Sequence, residues 1–163
     1  MFDINTDRDS YFMSIALAEA EKSAQEGEVP VGAVIVRGNE VISLGRNMRE
    51  TQKTALSHAE LHAIHAACLK LGGWRLHECE IFVTLEPCPM CMGAAINARL
   101  LRVVFGASDP KNGACGSVID LNEAGFTFKT VVQSGVLGGE CSSILTNFFV
   151  DLRNKRNNLS KIP

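Results

Sequence analysis

The order of apolar and polar positions along the chain predicts four helices separated by short strands. In the first helix, apolar residues from Met13 to Ala24 recur at the spacing of one helical face. The second helix is stopped by Gly72-Gly73, and the third begins at a proline, which suits the first helical position. The four predicted helices cover residues 10–25, 58–71, 89–98 and 139–158.

Five apolar runs between these helices predict strands. Gly38-Asn39 separates runs 29–36 and 41–44 and is typical of a tight hairpin, so these two strands are expected to be antiparallel. The run 29–36 is apolar on both faces, which favours a central place in a covered sheet. Strand 101–106 follows strand 81–85 through a helix and is expected to lie parallel to it. The fifth strand, 126–132, is expected at an edge.

The closing helix carries a further expectation about which side faces the protein. Its inner face is predicted to include five large apolar side chains. These are Ile144, Leu145, Phe148, Phe149 and Leu152.

Composition limits the class of protein without deciding its partners. The chain has 163 residues, 46% of them apolar and 21% charged, which is typical of one globular domain over residues 1–163. The net charge of −2 means that a nucleic-acid partner would need a local basic patch. The first residues lack a cationic segment before an apolar run, and no stretch is long enough to span a membrane, so a cytoplasmic protein is expected.

Two cysteines provide the first chemical signal. Cys88 and Cys91 follow a predicted strand, and Pro89 marks the start of a helix. This places Cys88 at the mouth of the helix and Cys91 in its first turn, on the same side. The positive end of a helix lowers the pKa of a thiol, and the thiolate is the form that binds zinc. This segment therefore predicts half of a metal site.

His58 and Glu60 supply the rest of such a site. Two thiolates and one imidazole are the three protein ligands of a catalytic zinc that keeps one position open. Glu60 would lie beside the metal as a general acid and base. The alternative pair is His58 with His62, but the zinc-protease form of that pair needs a glutamate directly after the first histidine, where this chain has Ala59.

Three other segments have two interpretations each. Asn47, at the end of a strand, either contacts a ligand or only caps a turn. The glycine-rich loop 107–117 is either a mobile surface loop or a wall beside the substrate. The tail after Asp151 is cationic, and composition alone favours a solvated terminus over a nucleic-acid contact beside Phe148 and Phe149. The cations of the tail are Arg153, Lys155, Arg156 and Lys161.

Taken together, the motifs resemble those of the bacterial tRNA-specific adenosine deaminases, which are a branch of the cytidine-deaminase-like zinc deaminases. The resemblance extends over nearly the whole chain. The combination His-x-Glu with Pro-Cys-x-x-Cys is the signature of zinc deaminases that act on nucleobases. The matching segments are 27–33, Asn47, 58–60, 84–94, 102–107, 109–111, 135–137 and Phe148-Phe149.

This resemblance implies a three-layer α/β/α fold with a five-stranded mixed sheet, and a homodimer. It implies a hydrolase acting on C–N bonds that converts adenosine to inosine at the wobble position of an arginine tRNA. His58, Cys88 and Cys91 would bind one zinc ion, and Glu60 would move protons. The substrate and the anticodon stem-loop would be contacted by Asn47, Pro30, Val31, Ala59, Leu85, Ala107, Asp109, Phe148, Phe149 and Arg153.

The chain departs from that branch at Ser57, where alanine is usual, and at Thr127-Phe128, where an Asn-His pair is usual. These departures leave open a deaminase of a free nucleobase such as guanine or cytosine. A third hypothesis is a zinc-containing RNA-binding module without catalysis, which would need a fourth protein ligand to close the zinc site.

Overall fold

The computed structural model describes residues 4–159, which form five helices, five strands and a short 3₁₀ turn. The N-terminal residues 1–3, on which part of the cytoplasmic expectation rests, lie outside the described residues, as does Lys161. In chain order the elements are α1 (Ile4–Gln25), β1 (Gly32–Arg37), β2 (Glu40–Arg46), α2 (Arg49–Gln52), α3 (Ala59–Leu71), β3 (Cys79–Leu85), α4 (Pro89–Asn97), β4 (Arg102–Ala107), the 3₁₀ turn (Leu121–Glu123), β5 (Val131–Ser134) and α5 (Gly138–Leu159).

The strands form one mixed sheet in the order β2-β1-β3-β4-β5. β1 pairs antiparallel with β2 and with β3, whereas β3, β4 and β5 run parallel. The predicted hairpin, the parallel pair β3–β4 and the edge position of β5 are therefore confirmed. β1 is interior, as its apolar character indicated, but the middle strand of the five is β3.

Helices cover the sheet on both faces and create two apolar cores. α3 and α4 pack over one core, around Ile35, Val83 and Phe105. α1 and the start of α5 pack over the other, around Phe12 and Phe82. The three-layer α/β/α class with a five-stranded mixed sheet is confirmed. Within residues 4–159, none of the helices combines the length and the apolar character that crossing a membrane requires.

Two glycines let the helices lie unusually close to the sheet. A Cβ atom on Gly45 would stand 2.1 Å from the carbonyl oxygen of Ala59, at the start of α3. A Cβ atom on Gly32 would stand 2.0 Å from the carbonyl oxygen of Ala16 in α1. Both distances are far below van der Waals contact, so only glycine fits at these two positions of β1 and β2.

Several predicted boundaries were wrong. β5 begins at Val131 and not at 126, because Asn122 holds the preceding loop by hydrogen bonds to both backbone groups of Thr130. β1 begins at Gly32 and not at 29, because the chain turns at Pro30, where the amide of Val31 donates to the carbonyl of Val29. α1 begins at Ile4, six residues before the predicted start.

The predicted inner face of the closing helix was correct for its first half only. Cys141 is fully buried against the sheet, and Ile144, Leu145 and Phe148 are partly buried. Phe149 is 41% exposed and Leu152 is 42% exposed, so neither belongs to the core. The helix leaves the sheet after its first turns, and its later apolar residues face outward.

Candidate metal centre and active-site cavity

Two helix N-termini converge on one point and place the candidate ligands there. His58 is the N-cap residue of α3, and Cys88 is the N-cap residue of α4, with Pro89 at the first helical position. Neither N-cap side chain makes a capping hydrogen bond, so both are free to face each other. Cys91 lies in the first turn of α4 and is 1% exposed. The positive ends of both helices favour anionic groups at this point.

The three side chains have the spacing that a metal ion requires. The Nδ1 atom of His58 lies 3.5 Å from the Sγ atom of Cys91 and 3.8 Å from the Sγ atom of Cys88. All three ligand atoms lie within 4.8 Å of one another. A tetrahedral zinc ion with Zn–S bonds of about 2.3 Å and Zn–N bonds of about 2.0 Å separates its ligand atoms by roughly 3.5 Å. The observed distances and the donor set therefore fit zinc.

The two thiols differ in their readiness to lose a proton. A hydrogen bond from the Cys91 thiol, aided by His58, lowers the pKa of Cys88 to about 4 despite burial. The same contact with Cys88, together with burial, raises the pKa of Cys91 above its ordinary value. The hydrogen bond between His58 and Cys88 raises the pKa of His58. The cluster thus provides one ready thiolate and a second thiol that a metal ion would have to deprotonate.

Glu60 lies in the first turn of α3 and lines a cavity beside the cluster. It is 5% exposed, and burial raises the pKa of its carboxyl group. A carboxyl group with a raised pKa is suited to accept and return protons near neutral pH. The geometry is compatible with the proton-transfer role predicted for this residue.

The structure does not support the alternative histidine pair. In the described part of the chain, the cluster that could hold a metal contains His58 with the two cysteines and not His62. His62 is partly buried one turn further along α3, and burial lowers its pKa. Its Nε2 atom has no hydrogen-bond partner among residues 4–159. His65, the third histidine of the predicted helix, is exposed.

A cavity of about 870 Å³ opens over the cluster. Its volume lies within the range of about 300–1,000 Å³ that is usual for small-molecule sites. Six of the residues predicted to contact substrate line it, together with His58, Glu60 and Cys88. These six are Val31, Asn47, Ala59, Leu85, Asp109 and Phe149.

Asn47 is fixed in the wall of this cavity. It directly follows β2, is 4% exposed, and its side-chain Nδ2 donates to the carbonyl of Val29 at 3.0 Å. Its backbone carbonyl accepts a hydrogen bond from Ser23. Within residues 4–159 no hydrogen bond to its side-chain oxygen is present, which leaves that oxygen able to accept one from a ligand.

The other four residues predicted to contact substrate do not line the cavity. Pro30 and Ala107 are buried, and Phe148 is half-buried with its ring against Phe149. Arg153 lies outside, in an adjoining depression of about 370 Å³ that it shares with Lys111, Thr146 and Phe149. These positions follow from the outward course of the later turns of α5 and from the pairing of Ala107 at the end of β4.

The cavity also contains residues that the sequence analysis missed. Arg49 and Lys111 add two cations to its lining. Two buried carboxylates hold its walls: Glu28 accepts hydrogen bonds from the amides of Glu50 and Thr51, and Glu86 accepts from the loop after β4. The available sequence signal was an acidic residue at the edge of an apolar run, since Glu28 directly precedes the run 29–36 and Glu86 directly follows the run 81–85.

At each of these carboxylates, hydrogen bonds lower the pKa by more than burial raises it. Burial alone would raise the pKa of Glu28, but the amides of Thr51 and Glu50 hold it below its usual value. Burial acts in the same direction on Glu86, and the donors from Ser117, Asp109 and Cys115 lower its pKa. Both groups are therefore carboxylate anions at neutral pH, serving as acceptors for backbone amides.

Comparison with known families accounts for this arrangement. Residues 6–153, which include all three candidate ligands and Glu60, match the family of MafB19-like deaminases. This chain belongs to that family. Deaminases are hydrolases that act on C–N bonds, so the expectation of an enzyme of this class is confirmed.

Individual relatives support the resemblance that the motifs indicated. A tRNA-specific adenosine deaminase of Bacillus subtilis (strain 168) is 46% identical over 159 residues, covering 94% of this chain and 99% of that protein. A structure solved for studies of A-to-I editing by tRNA:A34 deaminases is 37% identical, with a TM-score of 0.77, and the match covers 83% of this chain and 99% of the other. The resemblance to tRNA-specific adenosine deaminases is therefore confirmed.

A guanine deaminase structure from Bacillus subtilis is also similar to this deaminase. It is 35% identical with a TM-score of 0.59, and the match covers 72% of this chain and 70% of the other. Proteins similar to this chain are thus named for different substrates.

Proposed function

We propose that this deaminase converts adenosine to inosine at the wobble position of an arginine tRNA, which it binds through the anticodon stem-loop. The observation that carries the proposal is the cavity in which a three-ligand metal cluster and the buried carboxyl of Glu60 face the same space. A relative that shares 46% of its residues with this chain and is named a tRNA-specific adenosine deaminase supports the choice of substrate.

We assign His58, Cys88 and Cys91 to one zinc ion per chain. When bound, zinc would supply Lewis-acid activation of the attacking water. Three protein ligands leave the fourth position open, as catalytic zinc sites require. A closed, purely structural zinc site would need a fourth protein ligand, and the cluster in residues 4–159 offers three. This argues against the non-catalytic zinc module.

Glu60 is assigned both proton transfers. Its carboxylate takes a proton from the water that attacks C6 of adenine and delivers it to N1. It then moves the remaining proton of the added hydroxyl to the amino group on C6, so that the C–N bond breaks, the C6 carbonyl of inosine forms and ammonia leaves. Its burial excludes bulk water from these transfers and keeps its pKa raised.

The base is proposed to lie between the apolar walls of the cavity, formed by Val31, Ala59 and Leu85. Asn47 would fix its orientation through the side-chain oxygen that makes no hydrogen bond to the described residues. A nucleotide must leave the base stack to reach this cavity, as it does in other enzymes that modify bases.

The flanking RNA is proposed to follow the cations at the cavity mouth. Arg49 and Lys111 line the cavity, and Arg153 lies with Phe149 in the adjoining depression. Cations bind phosphates, and an exposed aromatic ring can stack on a base. This local patch could bind RNA in spite of the overall charge of −2.

A homodimer in the cytoplasm completes the proposal. Several large apolar side chains are exposed on the single chain, among them Leu56 at 63%, Leu101 at 53% and Val118 at 53%, and a second copy would cover such residues. Light scattering coupled to gel filtration measures the mass in solution. A mass near 35 kDa, twice the 17.6 kDa of one chain, is expected.

One observation favours a second candidate, a free nucleobase such as guanine. The guanine deaminase structure is 35% identical, and Phe128 here packs on the core beside α3 and α4 in place of the usual histidine of the tRNA branch. Phe128 does not line the cavity, and the guanidinium of Arg99 lies 5.1 Å from its ring centre. Its substitution therefore removes no side chain from the proposed base site.

The test is to incubate the zinc-loaded protein with an unmodified arginine tRNA anticodon stem-loop that has adenosine at the wobble position. Reverse transcription should read that base as G, and Glu60→Gln should retain zinc but produce no such change. Ammonia release from free guanine, cytosine and adenosine is measured in parallel. Ammonia from a free base without any change in the RNA would replace the tRNA proposal by the nucleobase alternative.

A further inference from the structure

We propose that Glu86 is a positioning residue that fixes the loop 109–117, and with it one wall of the cavity, to the segment that carries Cys88 and Cys91. The inference rests on the proposed function for its effect on substrate binding, but its structural part can be tested without any substrate. Glu86 has no role in the reaction described above.

The carboxylate of Glu86 is surrounded by donors from the loop. Its Oε2 atom accepts from the amide of Asp109 at 3.0 Å and from the hydroxyl of Ser117. Its Oε1 atom accepts from the amides of Cys115 at 3.0 Å and Ser117 at 3.1 Å. One side chain thus holds both ends of a nine-residue loop whose donors lie 23 to 31 positions further along the chain.

The loop is also built around this carboxylate sterically. A Cβ atom on Gly113 would stand 2.3 Å from the carboxyl carbon of Glu86, so the loop can close over the carboxylate only with glycine there. Backbone hydrogen bonds continue the contact on either side. Glu86 donates its amide to the carbonyl of Ala107, and Ala114 donates to the carbonyl of Pro87, both at 2.8 Å.

The loop presents its side chains to the cavity from this fixed base. Asp109, Pro110, Lys111 and Asn112 all line the cavity. The carboxylate of Asp109 accepts from the amides of Lys111 and Asn112, so the turn is preformed, and its own amide is bound to Glu86. Loss of the Glu86 carboxylate would therefore release the whole wall and not a single side chain.

Glu86 borders the cavity, but its carboxylate is already fully engaged by the loop. It is 2% exposed, and each of its two oxygens already accepts two hydrogen bonds. Glu86 lies two residues before Cys88, so the loop is attached to the same backbone segment that carries the candidate metal ligands. A misplacement of about 1 Å at a binding wall can cost roughly 10²-fold in rate, which gives such a positioning residue a measurable effect.

The experiment compares Glu86→Gln and Gly113→Ala with Gly73→Ala. Glu86→Gln keeps the size of the side chain but turns an NH₂ group toward backbone amides, and Gly113→Ala displaces the same carboxylate from the loop side. Among the described residues nothing lies within 4 Å of a Cβ atom added to Gly73, so Gly73→Ala is the matched control. Amide hydrogen exchange at Asp109, Cys115 and Ser117 is measured together with zinc content, and KM and kcat are measured on the stem-loop.

The expected result is exchange at these three amides at least about 10-fold faster in both variants than in the unmutated protein and in Gly73→Ala. Zinc content should stay at one per chain, KM should rise about tenfold, and kcat should change less. Slow exchange retained in the variants, an unchanged KM, or a loss of zinc with faster exchange throughout the chain would each overturn the proposal.

Two further measurements distinguish a failure of this proposal from a variant that does not fold and from a failure of the proposed function. If Glu86→Gln does not fold, Gly113→Ala and the milder Ser117→Ala are tested in its place, and unchanged exchange at Asp109 and Cys115 in both overturns the proposal. If the unmutated protein fails to edit the stem-loop, the proposed function fails, while the exchange data still decide whether Glu86 holds the loop. KM is then measured on whichever free base is deaminated.

Discussion

The two ends of β3 and β4 use buried charge in opposite ways. At the strand starts, Arg102 and Arg8 bind Glu80 at 2.8 and 2.7 Å, and Arg102 also binds the carboxylate of Asp9. Every charge in this cluster has a partner of the opposite sign. The cluster ties α1 to the two strands, and its energetic effect is on stability.

The other ends of the two strands lie roughly 17 Å away, the length of five residues of extended chain. There the ionisable groups are not matched with partners of opposite charge. In the described residues Glu60 forms no ion pair, and its pKa is raised by burial. Cys88 and Cys91 share a proton between two helix N-termini. Buried ionisable groups without a partner of opposite charge lower the stability of the folded state. They remain available to bind a metal ion and to transfer protons. The comparison predicts that substitutions at one end change activity and those at the other change stability.

The largest effect is expected for Cys91→Ala, at the metal end. Loss of one of three ligands should reduce zinc to a small fraction of one ion per chain and reduce activity more than about 10³-fold, because zinc supplies several kcal/mol of transition-state stabilisation. Metal analysis and the inosine assay measure both. With chelator present, its free energy of unfolding should lie within about 1 kcal/mol of that of the unmutated protein.

Cys141→Ala provides the matched control for this prediction. Cys141 is also a fully buried cysteine in the first turn of a helix, but it packs on the opposite face of the sheet. It should retain zinc and activity. Equal zinc loss in both variants would mean that Cys91 acts through general packing and not as a ligand.

A substitution of Gly45 should affect both properties and so sharpens the comparison. In Gly45→Ala the new Cβ atom would push on the carbonyl of Ala59, directly after the ligand His58. We expect destabilisation by about 2–3 kcal/mol from overpacking, and weaker zinc binding because the start of α3 must move. Denaturant unfolding and zinc titration measure the two effects.

Gly139→Ala is the control, since no atom in the described part of the chain lies within 4 Å of an added Cβ atom there and alanine is favoured in a helix. Unchanged zinc affinity in Gly45→Ala, with stability reduced, would show that the position of α3 and the metal site are independent of each other.

Sequence reasoning found the metal cluster because its information is local. His58 with Glu60, and Cys88 with Cys91, are each separated by at most three residues, and each pair sits at a helix start, which Pro89 marks for the two cysteines. The hairpin and the parallel pair were found for the same reason, since turn residues and helix-length connections are short-range signals.

The buried carboxylates that hold the walls of the cavity could not be found in this way. Glu86 finds its donors far along the chain, and a buried carboxylate that accepts backbone amides leaves no periodic pattern. The start of β5 was misplaced because Phe126 and Phe128 have high strand propensity, whereas the hydrogen bonds of Asn122 decide the local backbone. The outward turn of α5 depends on where the sheet ends, which only the assembled fold determines.

Arg102→Met should lower stability and leave activity nearly unchanged, whereas Cys91→Ala should abolish activity and leave stability nearly unchanged. It leaves Asp9 and Glu80 buried with only Arg8 as a partner, which should lower the free energy of unfolding by about 2–4 kcal/mol. The kcat/KM for the stem-loop should remain within about twofold, since the site lies at the other strand ends.

Arg37→Met removes an exposed arginine from the end of β1 and should cost less than about 0.5 kcal/mol. Urea unfolding measures all three proteins. A large loss of activity in folded Arg102→Met would break the division of roles between the two ends of the sheet.

The smallest effect is expected for Glu28→Gln, and it depends on pH. Burial opposes ionisation of Glu28, but the amides of Thr51 and Glu50 lower its pKa below the ordinary value of 4.5. A carboxyl group with a lowered folded-state pKa adds stability above pH 4.5, and this stability is lost as the pH falls through the folded-state value.

The unmutated protein should therefore be more stable than Glu28→Gln by about 1–2 kcal/mol at pH 7, the size of a hydrogen bond to a charged group. The difference should shrink steadily below pH 4.5, since protonated Glu28 and glutamine are then nearly equivalent. Urea unfolding at pH 7, 5 and 3.5 measures it. A difference that stays constant down to pH 3.5 would show that Glu28 holds Glu50 and Thr51 by shape alone, and that charge at this wall of the cavity, unlike charge at the strand starts, contributes nothing to the folded state.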